Sequence, residues 1–270
     1  MSERPAMPAP VGVFDSGVGG LSVLAAIRST LPHEDLLYLA DSAHAPYGDK
    51  TEARIQQRAR SCVEFLLERG AKAIVVACNT ATVAAVEVLR AAYTLPIVAM
   101  EPGVKPAVRE TRSGVIGVLA TAGTVRSQRF QALLADHANG VEVIAQACPG
   151  LVEQVERGAF ATSETRRLLD RYLDPLSRRG ADTLVLGCTH YPFLSAEISS
   201  RVGDAVAVID TGPAVAAQLG RRLEAQGLAG TQIHQGTVRY FTTGSVMQLR
   251  QFLKTIGCTD CHVEQATTES

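Results

Sequence analysis

The chain has 270 residues, 46% of them hydrophobic and 20% charged, and a formal net charge of −1. That balance gives no general attraction to nucleic acid or to an anionic membrane surface, so the charge of any ligand must be read from a local site. No apolar run approaches the roughly 20 residues that cross a bilayer, and the proline-rich start Met1–Pro10 lacks the apolar core of a signal peptide, so the chain reads as a cytoplasmic protein with a short mobile tail.

In chain order, short β-rich apolar runs alternate with longer helix-like stretches. Strands are expected at Val11–Phe14, Leu36–Leu39, Ala73–Ala77 and Leu95–Ala99 in a first half, and at Val115–Leu119, Val141–Ala145, Thr183–Leu186 and Val206–Ile209 in a second. Helical stretches at 51–69, 81–92, 124–136 and 163–179 fall between them. This alternation predicts parallel strands buried on both faces by crossover helices. Past Ile209 a helix at 211–226, a strand near Val238–Thr242 and a helix at 245–256 follow, and the polar stretch Glu264–Ser270 reads as frayed. If this tail packs back on the first half, the first domain is residues 1–100 plus 211–270 and the second is 101–210.

The halves repeat one another. Val11-Gly-Val-Phe-Asp-Ser16 resembles Ile116-Gly-Val-Leu-Ala-Thr121, and Ala73-Ile-Val-Val-Ala-Cys78-Asn-Thr resembles Thr183-Leu-Val-Leu-Gly-Cys188-Thr-His. The expected fold is therefore α/β, with two similar doubly wound domains of mainly parallel sheet related by pseudo-twofold symmetry. Ligands in such folds bind beyond the carboxyl ends of the strands, which is where every matched polar residue falls. Two facing halves would bring these ends to a shared cleft.

Cys78 and Cys188 each follow a strand and precede polar residues able to bond a ligand. A thiolate can act as a base and a thiol as an acid, with pKa values set by their surroundings. Two such groups in a near-symmetric site suit inversion at a carbon carrying a weakly acidic hydrogen, one removing the proton while the other delivers one to the opposite face. A thiol hydrolase would need one nucleophile, a base and an oxyanion hole, which leaves the second cysteine redundant. Plainer readings stand beside these. Asp15 could simply cap the following helix, His190 could be structural, and Tyr47-Gly48 could be only a turn after Pro46. Gly17, Gly19 and Gly20 depart from the G-x-G-x-x-G order of a dinucleotide loop, so backbone geometry is their expected purpose. Cys258-Thr-Asp-Cys261-His262 fits the haem-attachment pattern or half a zinc site, and reads as coincidence. Cys62 reads as core, and the six cysteines as mostly reduced.

Asp15-Ser-Gly-Val-Gly-Gly20, Pro46-Tyr-Gly48, Ala77-Cys-Asn-Thr80, Leu119-Ala-Thr121 and Gly187-Cys-Thr-His-Tyr-Pro192 together resemble the glutamate racemase family. The likeness runs from Val11 to about Gly220. It implies interconversion of L- and D-glutamate without pyridoxal phosphate or metal, supply of D-glutamate for peptidoglycan, and a homodimer. It also implies that Cys78 serves the D-glutamate face and Cys188 the L-glutamate face, with Asp15 and His190 beside the thiols. Ser16, Pro46, Tyr47, Gly48, Asn79, Thr80, Thr121 and Thr189 would hold the substrate, and an auxiliary carboxylate would be Glu156, with Glu153 as the alternative. An aspartate racemase would tend to carry an acidic residue after the second Cys-Thr, where this chain has His190. A silent binding protein would not need both thiols.

Overall fold

The computed structural model describes residues 9–138, 140–230 and 235–268; the expected N-terminal tail falls mostly outside them, as do the last two residues. Among the described residues ten parallel strands are present: β1 (Val11–Asp15), β2 (Leu36–Ala40), β3 (Ala73–Val76), β4 (Ile97–Ala99), β5 (Val115–Ala120), β6 (Glu142–Ala147), β7 (Thr183–Leu186), β8 (Ala207–Ile209), β9 (Val238–Thr242) and β10 (Val263–Gln265). The helices are α1 (Leu21–Thr30), α2 (Glu52–Leu67), α3 (Asn79–Ala92), α4 (Val104–Glu110), α5 (Ala122–Arg126), α6 (Gln128–His137), α7 (Leu151–Glu156), α8 (Ser163–Arg178), α9 (Ser195–Val202), α10 (Gly212–Ala225) and α11 (Val246–Thr255).

The strands form two sheets, in the orders β10-β9-β2-β1-β3-β4 and β6-β5-β7-β8. The run β2-β1-β3-β4 is repeated as β6-β5-β7-β8, and register repeats with it: Val11 pairs with Ala73, and Ile116 with Thr183. All five residues of β1 are buried, as expected of a strand covered on both faces. Alternation along the strands sends Val11, Val13, Tyr38 and Val75 to one core with α1 and α10, while Phe14, Leu37, Ile74 and Val76 meet α2 and α3 on the other side. The first of these cores runs on without a break into Leu119, Leu184 and Leu186 of the second sheet and the buried stripe Leu169, Tyr172, Leu173 and Leu176 of α8. The second sheet's remaining face packs Ile116, Val118 and Val185 against α4 and α6.

Two expectations need correcting. The stretch 124–136 is two helices, because the Ser127 side chain accepts the Phe130 N–H at 3.1 Å and starts α6 afresh. The segment after residue 262 is not frayed where it is described. Val263 is buried, β10 lies parallel to β9, and Ala266 is buried with its N–H on the Thr242 carbonyl at 2.7 Å. Its alternation is only three residues long, too short to separate from a polar tail. Cys258 and Cys261 are joined as a disulfide between α11 and β10, while Cys62, Cys78, Cys148 and Cys188 are free thiols. Among the described residues no three His, Cys, Asp or Glu side chains gather to hold a metal, and no helix is long and apolar enough to cross a membrane.

Candidate active site

The carboxyl ends of β1, β3, β5 and β7 converge on one small chamber. It is lined by Ser16, Pro46, Tyr47, Gly48, Cys78, Asn79, Thr80, Thr121, Val152, Cys188, Thr189 and His190. Cys78 is the N-cap residue of α3, its sulfur receiving the Ala81 N–H at 3.4 Å, and the Ser16 hydroxyl lies 3.7 Å from that sulfur. Cys188 follows β7 through Gly187, and its sulfur stands 3.7 Å from His190 Nδ1. Both thiols are almost wholly buried. Thr80 and Thr121, one from each half, meet hydroxyl to hydroxyl at 2.9 Å. Asn79 is buried, and neither its Oδ1 nor its Nδ2 has a hydrogen-bond partner among the described residues.

Two of the expected residues stand behind the lining. Asp15, the last residue of β1, is fully buried and accepts the Gly20 N–H at 2.7 Å and lies 3.5 Å from the Thr189 hydroxyl, so it does help start α1 while facing the site. Glu156, at the end of α7, lies 2.6 Å from His190 Nε2 and accepts the Val18 N–H at 2.9 Å. Glu153 lies on the same helix, but Glu156 is the carboxylate that meets His190. The glycine loop's purpose is close approach. A Cβ on Gly17 would overlap the Glu156 carboxylate, and one on Gly19 would overlap the His190 ring and the Thr189 hydroxyl.

Sequence reasoning missed Val152 and Thr124. Val152 lines the chamber one helical turn before Glu156, a spacing that could have found it. Thr124, buried, bonds both Thr80 at 3.2 Å and Thr121 at 3.0 Å; a threonine three residues after an N-cap threonine was the available signal.

The comparisons agree with this geometry. The profile of the Asp/Glu/Hydantoin racemase family matches residues 19–219. A glutamate racemase of Methylococcus capsulatus is 57% identical over 87% of this chain and 87% of its own length. This chain belongs to the glutamate racemases. A glutamate racemase of Pseudomonas putida is 55% identical over 94% of each chain. Among solved structures, a Bacillus anthracis glutamate racemase aligns with a TM-score of 0.88 at 34% identity, covering 96% of this chain and 97% of its own. The Escherichia coli glutamate racemase, solved with L-glutamate and the activator UDP-MurNAc-ala, aligns with a TM-score of 0.85 at 33% identity, covering 97% of this chain and all of its own.

The two sides of this racemase's chamber differ electrostatically. Burial, reinforced by the nearby Asp15 charge, pushes the Cys78 thiol well above its ordinary pKa, and the bonds from Ala81 and Ser16 offset this only in part. Burial also raises Asp15, against the pull of His190 and the Gly20 N–H. His190 goes the other way. Burial disfavours its charge, but its bonds to Cys188 and Glu156, and their negative charges, outweigh that and hold the imidazolium well above the usual histidine range. The Cys188 side therefore carries an imidazolium, and the Cys78 side favours a neutral thiol. Among the described residues no Arg or Lys lines the chamber, so among them His190 is the cation there, and hydroxyls, amide and loop N–H groups are what remain to meet carboxylates.

Proposed function

We propose that this glutamate racemase works by a two-base mechanism, Cys188 exchanging the α-proton on the L-glutamate face and Cys78 on the D-glutamate face. The observation that carries the reading is the pair of free thiols at equivalent strand ends of two repeated halves, both lining one chamber. From L-glutamate, Cys188 acts as the base beside the His190 imidazolium and takes the α-proton while the Cys78 thiol gives one to the opposite face. From D-glutamate the transfers reverse. Asp15 assists Cys78, and Glu156 steadies the charged His190. Ser16, Asn79, Thr80, Thr121 and Thr189 hold the substrate's polar groups, and the loop Pro46–Gly48 closes over it. Asn79, with both polar side-chain atoms buried and without a partner among the described residues, is the clearest ligand contact, because leaving such atoms unsatisfied is costly. Residues 1–100 plus 211–270 carry Cys78 and residues 101–210 carry Cys188. The product D-glutamate serves peptidoglycan synthesis in the cytoplasm.

The test is the purified protein with L-glutamate in deuterium oxide and no added cofactor, followed by NMR and circular dichroism, with L-aspartate alongside. Loss of optical activity with deuterium at the α-carbon is the expected result for glutamate. Cys78→Ser and Cys188→Ser should each lose at least about a thousandfold in racemisation, since a serine hydroxyl is a far weaker acid. Each variant should still eliminate a leaving group from one enantiomer of a β-substituted glutamate. Equal loss on both enantiomers would sink the division of faces.

A further inference from the structure

The loop Pro46–Gly48 lines the chamber, but the hydroxyl of Tyr47 is not offered to it. That hydroxyl donates to Asp41 Oδ2 at 2.6 Å. Asp41, fully buried just after β2, is the hub of a larger cluster. Its carboxylate also receives Arg58 through Nε at 3.1 Å and Nη2 at 2.9 Å, and the Thr243 hydroxyl at 2.9 Å, and it contacts His44 Nδ1 at 3.0 Å. Arg58 projects from α2, is itself fully buried, and donates onward to the Thr268 hydroxyl at 2.6 Å. Thr243 directly follows β9 and Thr268 lies just past β10, so both are carried by the ends of the last two strands.

A buried ion pair is poor evidence of a purely stabilising role, because desolvation offsets much of the Coulomb gain and apolar replacements are often as stable. This pair does something an apolar cluster could not: it holds, by one short bond, a loop that must face the substrate with the right backbone. Burial alone would push the Asp41 carboxyl up, yet the bonds from Arg58, Tyr47 and Thr243 outweigh it and keep the carboxylate ionised. On its far side the loop passes close to the second half, with the Gly48 carbonyl packed against Gly123 and Gly48 against Thr121. A shift of the loop would therefore disturb both halves of the chamber.

We propose that Asp41 is a positioning residue for the substrate loop 46–48, and that the C-terminal strands, through Thr243 and the Thr268–Arg58 bond, complete the device. The inference rests on reading the chamber as the glutamate site, and it assigns the Tyr47 hydroxyl to the anchor and not to the substrate. Loop contacts that hold the substrate equally in ground and transition states change KM and leave kcat alone.

The test uses the full chain carrying Tyr47→Phe, Asp41→Asn, Tyr47→Phe/Asp41→Asn or Thr268→Val. KM for both glutamate enantiomers should rise about tenfold in the first two and about threefold in Thr268→Val, with kcat within about twofold of the parent. The double variant should be no worse than Asp41→Asn, since the Tyr47 hydroxyl acts on the loop through residue 41 alone. Multiplying effects in the double variant would put the Tyr47 hydroxyl on the substrate and overturn the proposal, as would unchanged KM or a loss confined to kcat. Amide hydrogen exchange over residues 44–50 should quicken about tenfold in Asp41→Asn and less in Thr268→Val; unchanged protection overturns the anchor. Should the parent not racemise glutamate, the reading of the chamber falls, and the exchange data still decide the anchor. Should Asp41→Asn not fold, Tyr47→Phe and Thr268→Val, each removing one atom group, decide it.

Discussion

Asp15 and His190 are buried groups whose protonation the fold pulls in a defined direction, and each gives a stability signature separate from activity. A raised pKa on Asp15 means that its contribution to stability is present below the unfolded value of about 3.9 and is lost as pH rises through the folded value. At neutral pH, above the unfolded value, the buried Asp15 therefore makes folding less favourable than an uncharged side chain there would. Asp15→Asn should melt a few degrees higher than the parent at pH 7, with the gap opening as pH rises from 4, while activity falls by about a hundredfold or more. His190 is also raised, so its pair with Glu156 stabilises most below the unfolded histidine value of about 6.5 and fades as pH climbs through the folded value. The melting gap between the parent and His190→Gln should be widest near pH 6 and shrink on the alkaline side; a gap that widens there would contradict the assignment. Cys78, Cys188 and their polar neighbours were legible in the sequence because each directly follows a strand, where local order alone places it. The pairing of Glu156 with His190, and the use of the Tyr47 hydroxyl by Asp41, were not. The first joins residues 34 apart, and no periodicity encodes which of two carboxylates on one helix turns inward; the second spans only six residues, but across an irregular loop whose turns no repeating pattern specifies.

At the level of elements, the loop from β1 to α1 is shaped by what it must pass. Gly19 has an ordinary negative φ among the described residues, so its lack of a side chain answers to space and not to backbone handedness. Gly19→Ala should force the loop away from His190 and Thr189, lowering activity by at least about tenfold with only a modest loss of stability; circular dichroism melts and initial rates check the two together. The strands and long helices were readable because fully buried parallel strands give continuous apolar runs and α8 shows a clear apolar stripe. The edge strand β10 escaped because three residues carry no decisive pattern, and its place was set by the neighbouring β9. The break at Ser127 escaped because its capping bond competes with an otherwise acceptable helical run.

For the whole molecule, the repeated order β2-β1-β3-β4 and β6-β5-β7-β8 places the two thiols at equivalent positions, and one continuous core ties the sheets together. A ligand seated between the halves should therefore stabilise them jointly. Glutamate at about a hundred times its Kd should add about 2.7 kcal/mol and raise the melting temperature by roughly 5–10 °C in one cooperative step. Two separated transitions, with only one moving, would mean that the ligand touches a single half. The chamber as it stands has a free volume of about 10 Å³, space for about one water. Glutamate is far larger, so every molecule processed demands that the walls part and meet again, against whatever drag the surrounding liquid exerts. Sucrose or another viscogen should then slow the maximal rate, and α-deuterated glutamate should lose part of its kinetic handicap as the solution thickens and the wall motion takes a larger share of the rate.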